Sequence, residues 1–239
     1  MPKPTHQEVK SPKISARKLA EFMAGSDVRG RTIVIECKYR PIARIIQHNE
    51  AKAAISSFIR GEISLEDIKL KSTDLRNRYA ESDFERNLYD HNADYIDRFL
   101  KVRARLAFPD AEILSPGKPP ALELNKVRVT FDLAFRLERV TRTNKLKLGA
   151  AALRYQKGKA LKDAEAEWHG ALIHGYLART SIDGDPEHQL CMTVDAYSGI
   201  LHPAPTDAVS RFKNAEAACA NIAERWEKIP PPKGAILEA

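Results

Sequence analysis

Cysteine is scarce: Cys37, Cys191 and Cys219 are odd in number, far apart and without a C-x-x-C pair. That excludes a disulfide framework, a zinc ribbon and a four-cysteine iron–sulfur cluster, and three reduced, mostly buried thiols are expected. Long apolar runs are also missing. No stretch approaches the roughly 18 residues that a bilayer crossing requires, and MPKPTHQEVKSPK is basic without the apolar core of a secretory signal. The expectation is a cytoplasmic protein with no membrane partner. No phosphate loop G-x-x-x-x-G-K-[ST], no G-x-G-x-x-G fingerprint and no G-x-S-x-G elbow occurs. His169 and His174 are five apart, so they point to different sides of a helix, unlike the pair of H-E-x-x-H. No repeat of 20–50 residues is apparent, which argues against solenoids and propellers.

What is present is a chain with 43% hydrophobic and 30% charged residues, too apolar for disorder and long enough for one large domain or two small ones. Its formal charge of +7 is uneven: residues 1–48 carry a net +6, 49–135 a net −1, 136–162 a net +8 and 163–239 a net −6. The second basic stretch holds Arg136, Arg139, Arg142, Lys145, Lys147, Arg154, Lys157, Lys159 and Lys162. Such a surface attracts phosphates. The competing reading is solvated strand charge, because Lys on edge strands also blocks aggregation.

Ser15 suits the N-cap of a helix carrying Leu19, Phe22 and Met23 and ending at Gly25. Thr32-Ile33-Val34-Ile35 fits either a short strand or a buried helical turn. Asn49 opens a helix through Ile55, Phe58 and Ile59 that stops at Gly61. Ser82-Asp83-Phe84-Glu85 is a capping-box sequence ahead of a long helix, with Phe84, Leu88, Tyr95, Phe99, Val102 and Leu106 on one stripe. His91 lies on that stripe and reads as a satisfied, partly buried side chain rather than a ligand. Residues 109–120 hold four prolines and a glycine, a linker-like composition.

After the prolines the period changes to two. Val127, Val129, Phe131, Leu133 and Phe135 alternate with Arg128, Thr130, Asp132 and Ala134, which predicts one strand over 127–137. A turn through Thr141–Asn144 returns into a strand over 145–156, and Gly149 followed by three alanines predicts very close packing by a neighbour. A helix from Asp163, a third strand over 189–196 and a last helix over 207–228 complete the pattern. Trp168 and Trp226 are expected to be largely buried on those helices.

The expected fold is therefore α/β (α+β), a mixed sheet flanked by helices with a mostly helical N-terminal half. The expected division is a helical region over 1–108, a Pro-rich linker over 109–120 and an α/β region over 121–239, with one shared core as the alternative.

The order helix, strand, strand, helix, strand over about residues 83–196 resembles the core of the PD-(D/E)xK nuclease-like superfamily, in particular its RecB/Cas4-type members. The resemblance implies Mg²⁺ or Mn²⁺ held at a phosphodiester by acids on two strands beside a lysine. Asp132 in VTFDLAF matches the first acid, and Lys157 or Lys159 in LRYQKGK the lysine. The motif departs between them: Tyr155 stands two before Lys157, Gln156 offers only an amide oxygen, and Glu165 on the next helix is the substitute carboxylate. Tyr176 lacks the glutamine expected ahead of it, and the Cas4-type cysteine cluster is absent. A second, literal E-x-K stands in Ile33-Val34-Ile35-Glu36-Cys37-Lys38, with Asp27 upstream, making Asp27 and Glu36 the alternative metal ligands.

These observations lead to two expectations. The first is a nucleic-acid-binding protein using Arg136, Arg139, Arg142, Lys145, Lys147 and Arg154 on a DNA or RNA backbone. In it, Asp132, Lys157, Lys159 and Glu165 support weak or no metal-dependent cleavage, with Asp132 and Glu165 as metal ligands and no other cofactor. The second is a non-catalytic regulatory protein that binds a protein partner through its helical half and acidic C-terminal half.

Overall fold

The computed structural model describes residues 3–43 and 46–238. The chain first forms β1 (His6–Glu8), β2 (Lys13–Ser15), α1 (Ala16–Ala24), α2 (Asp27–Lys38) and β3 (Tyr39–Pro41). Three helices follow: α3 (Asn49–Ile59), α4 (Leu65–Asn77) and α5 (Asp83–Val102). Then come β4 (Glu112–Leu114), β5 (Leu122–Leu124), β6 (Val127–Thr130), β7 (Phe135–Val140) and β8 (Leu146–Arg154). Last are α6 (Asp163–Thr180), β9 (Asp185–Asp195), β10 (Ile200–Pro203) and α7 (Ala208–Trp226). The fold is α+β, and the N-terminal half mixes helices with three short strands.

The main sheet has the order β10-β9-β8-β7-β4. Its central pair, β8 and β9, is parallel and joined through α6, while the flanking pairs are antiparallel. Alternation along β8 sorts its side chains: Ala150 and Ala152 join a core with α1, α2, α6 and α7, whereas Ala151 and Leu153 join one with α3, α4 and α5. Both faces are covered, as expected where a parallel pair lies at a sheet's centre. Gly149 is where the neighbour comes closest, since a Cβ there would lie 2.2 Å from the Leu190 carbonyl oxygen.

Two differences from the sequence pattern matter for the site. The strand over 127–137 is two strands in different sheets: β6 pairs with β2 and β5, whereas β7 pairs with β8. The ladder stops because α3 supplies side-chain partners there, Ser56 Oγ at 2.5 Å and Arg60 Nη1 at 3.1 Å from the Ala134 carbonyl. Residues 109–120 also do more than connect, for Glu112–Leu114 forms the edge strand β4.

Ser15, Ser26, Ser64 and Ser82 each accept an N-cap hydrogen bond, so the helix starts follow from local chemistry. Trp226 is 1% exposed, but Trp168 is only half-buried, its ring lying 5.1 Å beneath the Arg211 guanidinium. Among the described residues, no helix is long and apolar enough to cross a membrane.

Candidate functional site

Strands β8 and β9 end side by side, with Arg154 opposite Asp195 in the parallel register. On the other side of β8, Phe135 of β7 pairs with Ala151. Continuing that antiparallel count by three residues brings Asp132 level with Arg154. The end of the sheet thus carries an acid, a cation and an acid in a row.

The three have different environments. Asp132 is exposed and forms an ion pair with Lys52 of α3, at the mouth of a cleft of about 310 Å³ that also touches Ser56, Arg60 and Leu153. Asp195 is 1% exposed and its carboxylate accepts from Leu161 N at 2.8 Å, Tyr197 N at 3.0 Å and Ser198 Oγ at 2.6 Å. Those bonds fix the turn after β9, so Asp195 has a structural task. Arg154 donates from Nη1 to the Tyr155 carbonyl at 2.9 Å and from Nη2 to Gln156 Oε1 at 2.7 Å. Its Nε is buried without a hydrogen-bond partner, and Glu165 Oε1 stands 3.9 Å away. Burial, then the like charge of Arg17, lowers its pKa below the usual arginine value.

Other groups converge on this end. His169 of α6 is buried with Nδ1 2.9 Å from Thr193 Oγ1. Burial pushes it down to about 4; the cations Arg17, Arg154 and Lys52 act the same way and Asp132 opposes them. Tyr95 of α5 is fully buried, its ring stacked on Tyr155 with centroids 4.2 Å apart. Its hydroxyl has no hydrogen-bond partner, and burial, with the Asp132 charge, raises its pKa. His48 sets its ring edge against both tyrosines at 5.6 Å, and its Nδ1 is also without a partner. Burial, then His91, Lys52 and Arg17, lowers the His48 pKa. His91 itself donates Nδ1–H to the Asn87 carbonyl at 2.7 Å, as a satisfied helix side chain does.

The remaining candidates are dispersed. Lys157 pairs with Asp94 of α5 at 2.8 Å instead of facing Asp132, and Lys159 is exposed in the turn after β8. On the β7–β8 hairpin, Arg136 pairs with Glu138 at 3.0 Å, Lys147 with Asp185 at 3.1 Å and Arg139 with Glu187. Arg142 and Lys145 at the hairpin tip are exposed and have no ion pair among the described residues. Arg154 lies at the opposite end of β8, so the six cations do not form one patch.

The E-x-K expectation at 33–38 is overturned by secondary structure. Asp27 and Glu36 lie on α2, nine residues apart, which places them on opposite sides of the helix about 13 Å apart along its axis. Glu36 is held by Lys18 and Arg29. Lys38 is buried, and its ammonium donates to the carbonyls of Trp226, Glu227 and Ile229 at the end of α7. Ser26 caps α2, and burial of Ile33, Val34 and Cys37 on one side makes the β-branched run a helix.

The donor set at the end of the sheet does not suit a hard divalent cation. Asp132 is engaged by Lys52, Asp195 by its turn, and Glu165 faces a guanidinium. Among the described residues no three His, Cys, Asp or Glu side chains are grouped to hold a metal. Sequence reasoning missed Arg17, Lys52, Tyr95 and His48 because each reaches this end from a helix remote in sequence, and none carries a local motif. No protein-family model matches the chain, and a search of curated proteins finds no significant match.

Proposed function

We propose that the protein binds the sugar–phosphate backbone of DNA or RNA on a nuclease-like sheet, in the cytoplasm, with weak or absent metal-dependent cleavage. The observation that carries this reading is the position of Arg154. It stands level with Asp132 on the neighbouring strand, where a second carboxylate would be needed to hold a metal, and Lys52 and Arg17 add positive charge at the same end. A surface of that sign attracts a phosphodiester and disfavours the hydrated Mg²⁺ or Mn²⁺ that hydrolysis would use. The exposed cations Arg142 and Lys145 extend the contact at the far end of the hairpin.

Binding of this kind is tolerant of sequence, because phosphate contacts position a protein without reading bases. Fluorescence anisotropy with a labelled oligonucleotide should show affinity falling steeply with salt as counterions are released. Absence of binding at low salt would sink the reading. Any cleavage seen with Mg²⁺ or Mn²⁺ should be slow and lost in Asp132→Ala.

The protein-partner reading has one observation in its favour. A groove of about 720 Å³ between α2 and the end of α7 is floored by Phe22, Val34, Ile222 and Ile229. Binding of a protein with no measurable oligonucleotide affinity would favour it.

A further inference from the structure

We propose that the Arg154 guanidinium, with Lys52 and Arg17, forms a phosphate subsite at the end of the sheet that works without a metal ion. The proposal rests on the nucleic-acid reading for its ligand but makes its own claim about how charge is supplied. Three features of the site carry it.

The first is placement. Arg154 is locked in register between β7 and β9, and its two terminal nitrogens are each tied, to the Tyr155 carbonyl and to Gln156. Its orientation is therefore set before any ligand arrives, which lowers the ordering cost of binding.

The second is unsatisfied polarity. Seven buried side-chain nitrogen and oxygen atoms lack a hydrogen-bond partner among the described residues, and three of them, on Arg154, Tyr95 and His48, belong to this end of the sheet. Leaving such a group unpaired costs about 1–3 kcal/mol. The Arg154 Nε–H and the Tyr95 hydroxyl are donors, so what is missing is an acceptor. A phosphate oxygen is an acceptor and nothing else.

The third is sign. Glu165 is 3.9 Å from Nε, too long for a hydrogen bond, while Arg17 is exposed and without an ion pair among the described residues. Arg17 also acts on Arg154, His48 and His169 alike, so its charge is felt across the whole site. A guanidinium supplies charge and directed donors together, which a hydrated cation bound by carboxylates would otherwise provide.

The test measures binding of a fluorescein-labelled single-stranded oligonucleotide and, separately, inorganic pyrophosphate by calorimetry, in excess EDTA and in Mg²⁺. Affinity should be unchanged between the two buffers. Arg154→Gln should weaken both ligands by about tenfold or more, as expected for loss of a charge-assisted contact. Lys52→Gln, at a more exposed position, should weaken both as well and serves if Arg154→Gln does not fold. Affinity that collapses in EDTA overturns the proposal, as does a folded Arg154→Gln that binds like the parent. Arg154-dependent pyrophosphate binding without oligonucleotide binding would remove the nucleic-acid reading and leave the subsite standing. Binding of neither ligand overturns both.

Discussion

The ammonium of Lys38 donates to the main-chain carbonyl of Trp226 at 2.8 Å, across 188 residues of chain. The same nitrogen reaches the Glu227 and Ile229 carbonyls at 3.3 and 3.2 Å and the Glu8 carboxylate at 3.3 Å. The last carbonyls of a helix have no intrahelical partner and carry its negative dipole end. Lys38 closes α7 with a buried cation and joins it to α2.

Replacing Lys38 should therefore act on stability. Lys38→Met keeps the aliphatic stem but leaves the carbonyls at the end of α7 without this donor, and should cost about 2–4 kcal/mol. Urea denaturation checks this. A loss below about 1 kcal/mol would mean that water replaces the ammonium.

Close packing on the sheet gives a second stability prediction. Alanine at position 149 would drive its Cβ into the Leu190 backbone, with 2.2 Å to the carbonyl oxygen and 2.5 Å to the carbonyl carbon. Backbone cannot swing away as a side-chain tip can, so Gly149→Ala should lower stability by about 1–3 kcal/mol or more. Its denaturation midpoint, set against the parent's, decides the matter.

Much of this architecture was legible in the residues. Period-two alternation found the strands around 145–156 and 189–196, and serine caps found α1 and α5, because pattern and capping are local signals. The division of 127–137 was not legible, since Val129 and Phe135 keep the same alternation although they belong to different sheets. What breaks the ladder there is Ser56 and Arg60, far back in the sequence. Asp132 was identifiable from its strand context. Lys52, Arg17 and Tyr95 were not, because only tertiary packing brings α3, α1 and α5 to the same end of the sheet.

Acid should destabilise the fold through His169. Its folded pKa of about 4 lies below the ordinary value of 6.5, so the unfolded chain binds the proton more tightly. Stability from this group is full above about pH 6.5 and declines as pH falls toward 4, by about 3 kcal/mol across that window. His169→Gln should flatten that part of the pH–stability curve. A curve that keeps its slope in the variant would assign the acid sensitivity elsewhere.

The hairpin separates binding charge from structural charge. Arg142→Glu with Lys145→Glu should reduce oligonucleotide affinity strongly at low salt, because these two cations lack ion pairs and act on solvent. Arg139→Gln instead breaks the pair with Glu187, which ties β7 to β9. It should change stability by up to about 1 kcal/mol and leave a smaller mark on binding. Equal loss of affinity in the two variants would show that the local pairing does not matter.

The sharpest consequence concerns the sign of the charge at residue 154. In the parent, divalent cations meet a guanidinium flanked by Asp132, Glu165 and Asp195, and no Mn²⁺ binding is expected by calorimetry. Arg154→Glu reverses that charge. It places a carboxylate on β8 level with Asp132 and near Glu165, whose Oε1 now stands 3.9 Å from the arginine Nε. Two or three carboxylates at one end of a rigid sheet are the oxygen ligands that hard cations require. Arg154→Glu should acquire Mn²⁺ affinity, and adding Asp132→Ala should remove it while leaving the fold intact, since Asp132 is exposed. The same single replacement should weaken oligonucleotide binding in EDTA. Gain of metal and loss of phosphate in one variant would tie both effects to one position, whereas a folded Arg154→Glu protein with no Mn²⁺ affinity would show that Asp132 and residue 154 do not face a common point.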